Sequence, residues 1–394
     1  MNTSRPLKIL TLDGGGLQAL ATLSSLNAVC RAIAKQHGAD RPPAPHELFD
    51  IIAGVGTGGW IALLLGRYRL DIATCTAIYM ELATKVDPDP DNAYPATRKR
   101  LFKLDQDRLI KVVEEVLQRY GLDTALLRGE NCSTEGRPKF NRCKYAYVLF
   151  AAAVVPYEDN QSATYELFRS YHATEFQTDL VLHGPEPADC RMPEVFAATG
   201  AAKFFLNPYK IGNTTFFDET FPQSHPISSV ALDEAKCLYG REVEISILLN
   251  IGPGIPADKD CQELDLMALD PISRLVRRFS WTSGRRLSLR QKLLSIGMPQ
   301  PTIEKGPGLT SPSEKALRLE GRRREDIRAT LEETYGPSGA ERYHHLGPAY
   351  SAEQASLNDV HALRLPRGDF DDLKKQSIAE AEGMVRKVWF NAAA

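Results

Sequence analysis

Two glycine-rich turns carry the residues whose types and spacing could do chemistry. At Asp13-Gly14-Gly15-Gly16 the missing side chains let backbone N–H groups converge near a helix N-terminus, where they could stabilise an anion or a developing oxyanion. The same run could be a tight turn needing positive φ. Three consecutive glycines exceed what a turn requires, which favours the anion site. The second turn, Gly54-Val55-Gly56-Thr57-Gly58-Gly59, has the neighbours of a nucleophile elbow, in which a strand bends sharply into a helix and displays the central residue of G-x-S-x-G. Its centre is Gly56, and a hydrogen atom cannot attack a carbonyl. The same six residues fit the dinucleotide pattern G-x-G-x-x-G, which also wants an acidic residue ending the next strand. The candidates Glu81 and Asp87 instead follow a helix-like stretch, Thr74 to Thr84.

Both turns need a strand before them and a helix after. Lys8 to Leu12 is a strand-like apolar run, and Leu20 to Ile33 repeats apolar residues at helical spacing. Leu48 to Ala53 reads as a buried strand, Gly54 to Gly59 as a turn and Trp60 to Gly66 as the opening of an apolar helix. Two successive crossovers predict a largely parallel sheet covered by helices. Further strands are expected at Lys144 to Val154, Thr214 to Phe217 and Val243 to Ile251, and a short helix at Pro193 to Ala202. Leu104 to Gln118 reads as a helical insertion capping the sheet edge. After Pro256 strand patterns disappear and basic helices dominate, interrupted by a Pro, Gly, Ser and Thr-rich stretch from Gly297 to Ser313.

Composition narrows the function classes. Hydrophobic residues at 43% and charged residues at 25% are globular averages, which excludes collagen-like, disordered and disulfide-scaffold chains. The 48 basic and 50 acidic side chains give a net charge of −2, so no global field draws nucleic acid, and no nucleic-acid partner is expected. The seven cysteines are an odd number and none lie two to four residues apart, so neither a zinc site nor a disulfide framework is expected, and no metal or cofactor is implied. Residues 1–10 do not read as a secretory signal, and the longest apolar runs fall short of the ~20 residues that span a bilayer. A cytoplasmic chain is the expectation.

Taken together, these residues resemble the patatin-like phospholipase family of lipid acyl hydrolases. Leu10-Thr11-Leu12-Asp13-Gly14-Gly15-Gly16 looks like its oxyanion strand and loop, and Gly54 to Gly59 is similar to its G-x-S-x-G-G elbow. Glu194 to Phe205 resembles the small-residue helix shortly before the family's catalytic aspartate, and Phe216-Phe217-Asp218 matches the strand end that carries it. The resemblance implies a three-layer α/β/α domain over residues 7–255 with a largely parallel central sheet. Residues 256–394 follow as a mostly helical C-terminal extension, flexible near 297–313, which resembles extensions of fungal members only loosely. Active members use a Ser-Asp dyad: serine attacks an ester, aspartate acts as base and the glycine-loop amides hold the oxyanion. Carried over, Asp218 is the base, Gly14, Gly15 and Gly16 form the oxyanion hole with the Thr57 N–H, and Gly56 stands at the nucleophile's position. Gln18 replaces the usual Arg or Lys after the glycines, and Glu219-Thr220 departs from the usual Asp-Gly-Gly or Asp-Gly-Ala.

Losing an attacking serine costs roughly 2 × 10⁶ in kcat in a serine protease. The leading expectation is therefore a pseudoenzyme that binds an acyl lipid or lipid-like metabolite with little or no hydrolysis. A second reading is a serine-independent enzyme with Asp218 as general base and Gly14 to Gly16 as oxyanion hole. A third is an acyl hydrolase captured as an inactive variant. Thr57 is a poor substitute nucleophile, because the residue after the nucleophile normally offers its backbone N–H.

Other chemistry-bearing residues have simpler explanations beside the sharper ones. His225 could reach the cleft but reads as a loop residue, and the adjacent His344 and His345 splay apart, which argues against metal binding. Arg274, Arg277, Arg278, Arg285, Arg286, Arg290 and Lys292 crowd a segment without acids, with Phe279 and Trp281 among them. That segment suits peripheral contact with anionic lipid, but a solvated helix face, or pairing with acids elsewhere in the fold, is the favoured reading.

Overall fold

The computed structural model describes residues 6–15, 19–86, 106–125, 147–154, 164–170, 190–201, 208–212, 214–217, 227–252, 255–256, 312–347, 349–350, 378–387 and 389. Strand β1 (Leu7–Leu12) lies between β2 (Ile51–Val55) and β7 (Ile245–Ile251), parallel to both. These three are near-continuous apolar runs, as strands buried on both faces must be. β2 pairs in parallel with β3 (Tyr147–Val154), and β7 with β9 (Tyr343–Leu346). The antiparallel strands β4 (Thr164–Arg169), β5 (Tyr209–Ile211) and β6 (Thr214–Phe217) complete the sheet beyond β3, with main order β5-β6-β3-β2-β1-β7-β9 and β4 also paired to β3. A small separate pairing joins β8 (Ile255–Pro256) to β10 (Ala349–Tyr350).

Helices cover both faces, so the protein has the three-layer α/β/α arrangement. One face carries α1 (Ala19–His37), α3 (Thr57–Ala62), α4 (Ile72–Val86), α5 (Gln106–Arg119) and α6 (Met192–Thr199), together with a helix at 378–387, packed on Leu10, Leu12, Ile52 and Leu249. The other face carries α7 (Ile227–Tyr239) and α8 (Pro312–Tyr335), packed on Leu7, Ile9, Ile51, Ala53 and Leu248. On this second face Arg169 of β4 donates through Nε and Nη2 to both carboxylate oxygens of Glu234 on α7, at 2.6 and 3.0 Å, with both side chains buried. Two charges removed from water persist here because the fork geometry satisfies them mutually.

Several boundaries differ from the sequence expectation for local reasons. Leu48 belongs to a short helix, α2 (Pro45–Leu48), whose start is capped where the Glu47 carboxylate accepts the Ala44 N–H at 2.7 Å. β2 therefore begins at Ile51 and continues through Gly54 to Val55, so the bend is confined to Gly56. α3 then widens into a π turn over Leu63–Arg67, where Leu63, Leu64 and Leu65 are fully buried. α5, expected as a cap on the sheet edge, instead joins the helical layer. Its buried Leu109, Val112, Val113, Val116 and Leu117 form one apolar stripe in the main core. Beyond Pro256 the chain supplies a strand as well as helices: β9 extends the main sheet past β7, and Pro312 opens α8.

Candidate functional site

In parallel sheets, ligands gather at the carboxyl ends of the strands. Here the carboxyl ends of β1 and β2 carry the two glycine turns, which touch. Gly56 adopts φ 59° and ψ −132°, an arrangement that L side chains rarely take, and Thr57 starts α3 immediately after it. This is the sharp strand-to-helix geometry of an elbow. It closes because glycines flank the bend. A Cβ on Gly58 would lie 2.3 Å from the Leu12 carbonyl oxygen, so α3 can approach β1 only with hydrogen at that position. Helix α6 braces the bend from the side: Thr199 Oγ1 donates to the Gly56 carbonyl at 3.1 Å, and Trp60 Nε1 donates to the Phe196 carbonyl at 2.8 Å.

The first turn rests on the second. A Cβ on Gly14 would stand 3.1 Å from the Val55 carbonyl oxygen and 3.3 Å from Gly56 Cα. The Gly15 N–H donates to Thr57 Oγ1 at 3.0 Å. The Thr57 hydroxyl also shares a hydrogen bond with the phenol of Tyr79, which reaches it from α4 and is 1% exposed. Burial drives the Tyr79 phenol well above its ordinary pKa, so it stays protonated at neutral pH. Of the residues expected at the site, Gly14, Gly15, Gly56 and Thr57 are thus brought together. Gly16, Gln18, Asp218, Glu219, Thr220, His225, the basic segment 274–292 and the stretch 297–311 lie outside the described residues. β6 sets Phe217, the residue before Asp218, opposite Ala153 of β3.

A second set of polar residues, which the sequence reading did not join into one cluster, links the neighbouring strands and α7. The Thr11 and Ser228 hydroxyls are 2.8 Å apart, and Asn250 Nδ2 donates to Thr11 Oγ1 at 3.1 Å. The Asn250 Oδ1 then faces His345 Nδ1 at 2.5 Å, which requires the proton on Nδ1. Burial, with Arg324 and Arg328 adding to it, pushes His345 down to about 3 and keeps the ring neutral. Gly252 leaves the space between this ring and Asp13: a Cβ there would lie 3.2 Å from Asp13 Oδ2 and 3.3 Å from His345 Cε1. The one readable sign of this set was Thr11, a polar residue inside a strand buried on both faces. His344 and His345 are adjacent on β9. Among the described residues, no three His, Cys, Asp or Glu side chains are grouped to hold a metal ion, and no helix is long and apolar enough to cross a membrane.

A family model described as patatin-like phospholipase matches residues 10–218, more than half of the chain and including both turns. The chain belongs to that family. This patatin-like chain is 26% identical over 255 residues to the calcium-independent phospholipase A2-gamma of Oryctolagus cuniculus, which covers 64% of the chain and 28% of that relative. It is 37% identical over 101 residues to phospholipase A I of Arabidopsis thaliana, covering 25% of the chain and 7% of that protein. The patatin-like chain therefore spans less than a third of the length of either relative. Among solved structures, human GIVD cytosolic phospholipase A2 aligns at 12% identity and a TM-score of 0.33, covering 95% of this chain and 59% of that one. VipD from Legionella pneumophila aligns at 11% identity and a TM-score of 0.31, covering 98% and 90%.

Proposed function

We propose that this patatin-like chain binds an acyl lipid or lipid-like metabolite at the paired glycine turns and has lost Ser-Asp dyad hydrolysis. The observation that carries the reading is the apex of the elbow. Its backbone keeps a φ of 59°, yet the residue there is Gly56, with no side-chain atom to form an acyl-enzyme. Thr57 does not replace the missing hydroxyl, because its Oγ1 already takes the Gly15 N–H and is tied to Tyr79. The buried thiols Cys30 and Cys75 are in keeping with a reducing cytosol. The basic segment 274–292 is the part of this reading that would meet an anionic lipid surface.

Two measurements on the purified full chain test this. A fluorescent fatty acid should bind saturably, while a short p-nitrophenyl ester should be cleaved no faster than in buffer. Brisk ester cleavage by the unaltered chain, with a fluorophosphonate adduct on a residue of the elbow, overturns the reading. The retained bend also favours recovery: Gly56→Ser should gain esterase activity, at a strain cost of about 1–2 kcal/mol for a side chain in the left-handed region.

A further inference from the structure

We propose that Thr57 and Tyr79 form a positioning pair that fixes the glycine turn, with Gly15 serving as its anchor rather than as a free donor to ligand. The inference deepens the acyl-ligand reading and rests on it for the ligand's identity, but not for the geometry.

Gly14 and Gly15 carry no side chains of their own, and at Gly14 the first turn lies against the backbone of the elbow. The Gly15 N–H to Thr57 Oγ1 bond ties the two turns through a side chain. A threonine hydroxyl on its own can rotate away. Here it is engaged on two sides, because the phenol of Tyr79, buried under α3 in the main core, bonds the same hydroxyl. The elbow, the glycine turn and α4 are thereby joined at one oxygen atom. Stabilisation of a developing or resident negative charge depends on donors held in place beforehand, and supporting hydrogen bonds of this kind provide that. The amide of Gly15, a donor to ligand in the family scheme, is in this chain a donor to the protein.

The test compares Thr57→Val, Thr57→Ser and Tyr79→Phe in the full chain, using amide hydrogen exchange across residues 13–15 and the dissociation constant of a fluorescent fatty acid. Valine keeps the shape and removes the acceptor. It should speed exchange at Gly15 and weaken binding, each by about tenfold, the value of one hydrogen bond of ordinary strength. Serine restores the hydroxyl and should return both readouts towards those of the unaltered chain, and Tyr79→Phe should fall between. Unchanged exchange in Thr57→Val, or failure of Thr57→Ser to rescue it, overturns the positioning role. Tighter fatty-acid binding by Thr57→Val also overturns it, since the hydroxyl would then be occupying a donor the ligand needs. If the unaltered chain binds no fatty acid while exchange responds as described, the positioning pair stands and the acyl-ligand reading alone falls.

Discussion

The carboxyl edge of the sheet is held together in two different ways within a few strands. At β1 and β2 the contact is made by absent side chains: Gly54 and Gly58 let main chains approach to distances that a Cβ would block. At β1, β7 and β9 it is made by side chains, through the line Ser228, Thr11, Asn250 and His345. A glycine contact tolerates no added atom, because the neighbour is backbone and cannot turn aside. A hydrogen-bonded contact tolerates small shifts but not the loss of a partner. The rigid method sits where the elbow must keep its bend, and the adjustable one where β9 joins the sheet.

This contrast can be broken or sharpened by substitution. The largest effect is expected at the elbow. Gly58→Ala would place a methyl 2.3 Å from the Leu12 carbonyl and 2.6 Å from that of Asp13, and should cost about 3 kcal/mol, read as a fall in thermal unfolding midpoint. A midpoint unchanged within a degree would show that α3 can slide and that the contact is not rigid. Next comes the seam. Asn250→Ala takes from His345 and Thr11 their shared partner in a buried site, and about 2 kcal/mol should be lost in urea unfolding.

The seam should also titrate. His345 has a folded pKa near 3, below the ordinary value of 6.5, so the unfolded chain binds the proton more readily. Its contribution is intact above about pH 6.5 and falls away as pH drops towards 3, by up to about 1.4 kcal/mol per pH unit. His344 and His46, also lowered by burial, act in the same direction. His345→Gln should flatten this acid limb in a series of urea melts, and an unaltered limb would remove His345 from the account. The smallest effect is expected at Gly252→Ala. The new methyl would meet the ends of two side chains, Asp13 and His345, at 3.2 and 3.3 Å, and these can yield, so about 1 kcal/mol is expected. If it proved as damaging as Gly58→Ala, the distinction between the two regions would be lost.

Much of the fold was legible because its central strands announce themselves. β1, β7 and β2 are near-continuous apolar runs, and α1 repeats its apolar residues on one stripe. β4, with Thr164, Glu166 and Arg169 among its six residues, carries no such run. Its Arg169 is buried against Glu234, which meets it from α7, 65 residues away. β9 reads Tyr-His-His-Leu, and its polar centre makes sense only beside Asn250. The same division holds at the site. The glycine turns could be read directly, since a run of glycine is itself the signal. Tyr79 and Thr199 could not, because each acts on the elbow through a tertiary hydrogen bond from another helix.

The pairing of β9 along β7 has a practical consequence for anyone shortening this protein. Ending the chain near residue 256 would strip β7 of its outer neighbour over Leu248 to Ile251 and bare a row of main-chain donors and acceptors. An apolar edge of that kind invites a second molecule to zip onto it, so such a fragment should clump, whereas one that retains residues up to Leu346 keeps β7 paired and ends the sheet on the more polar β9.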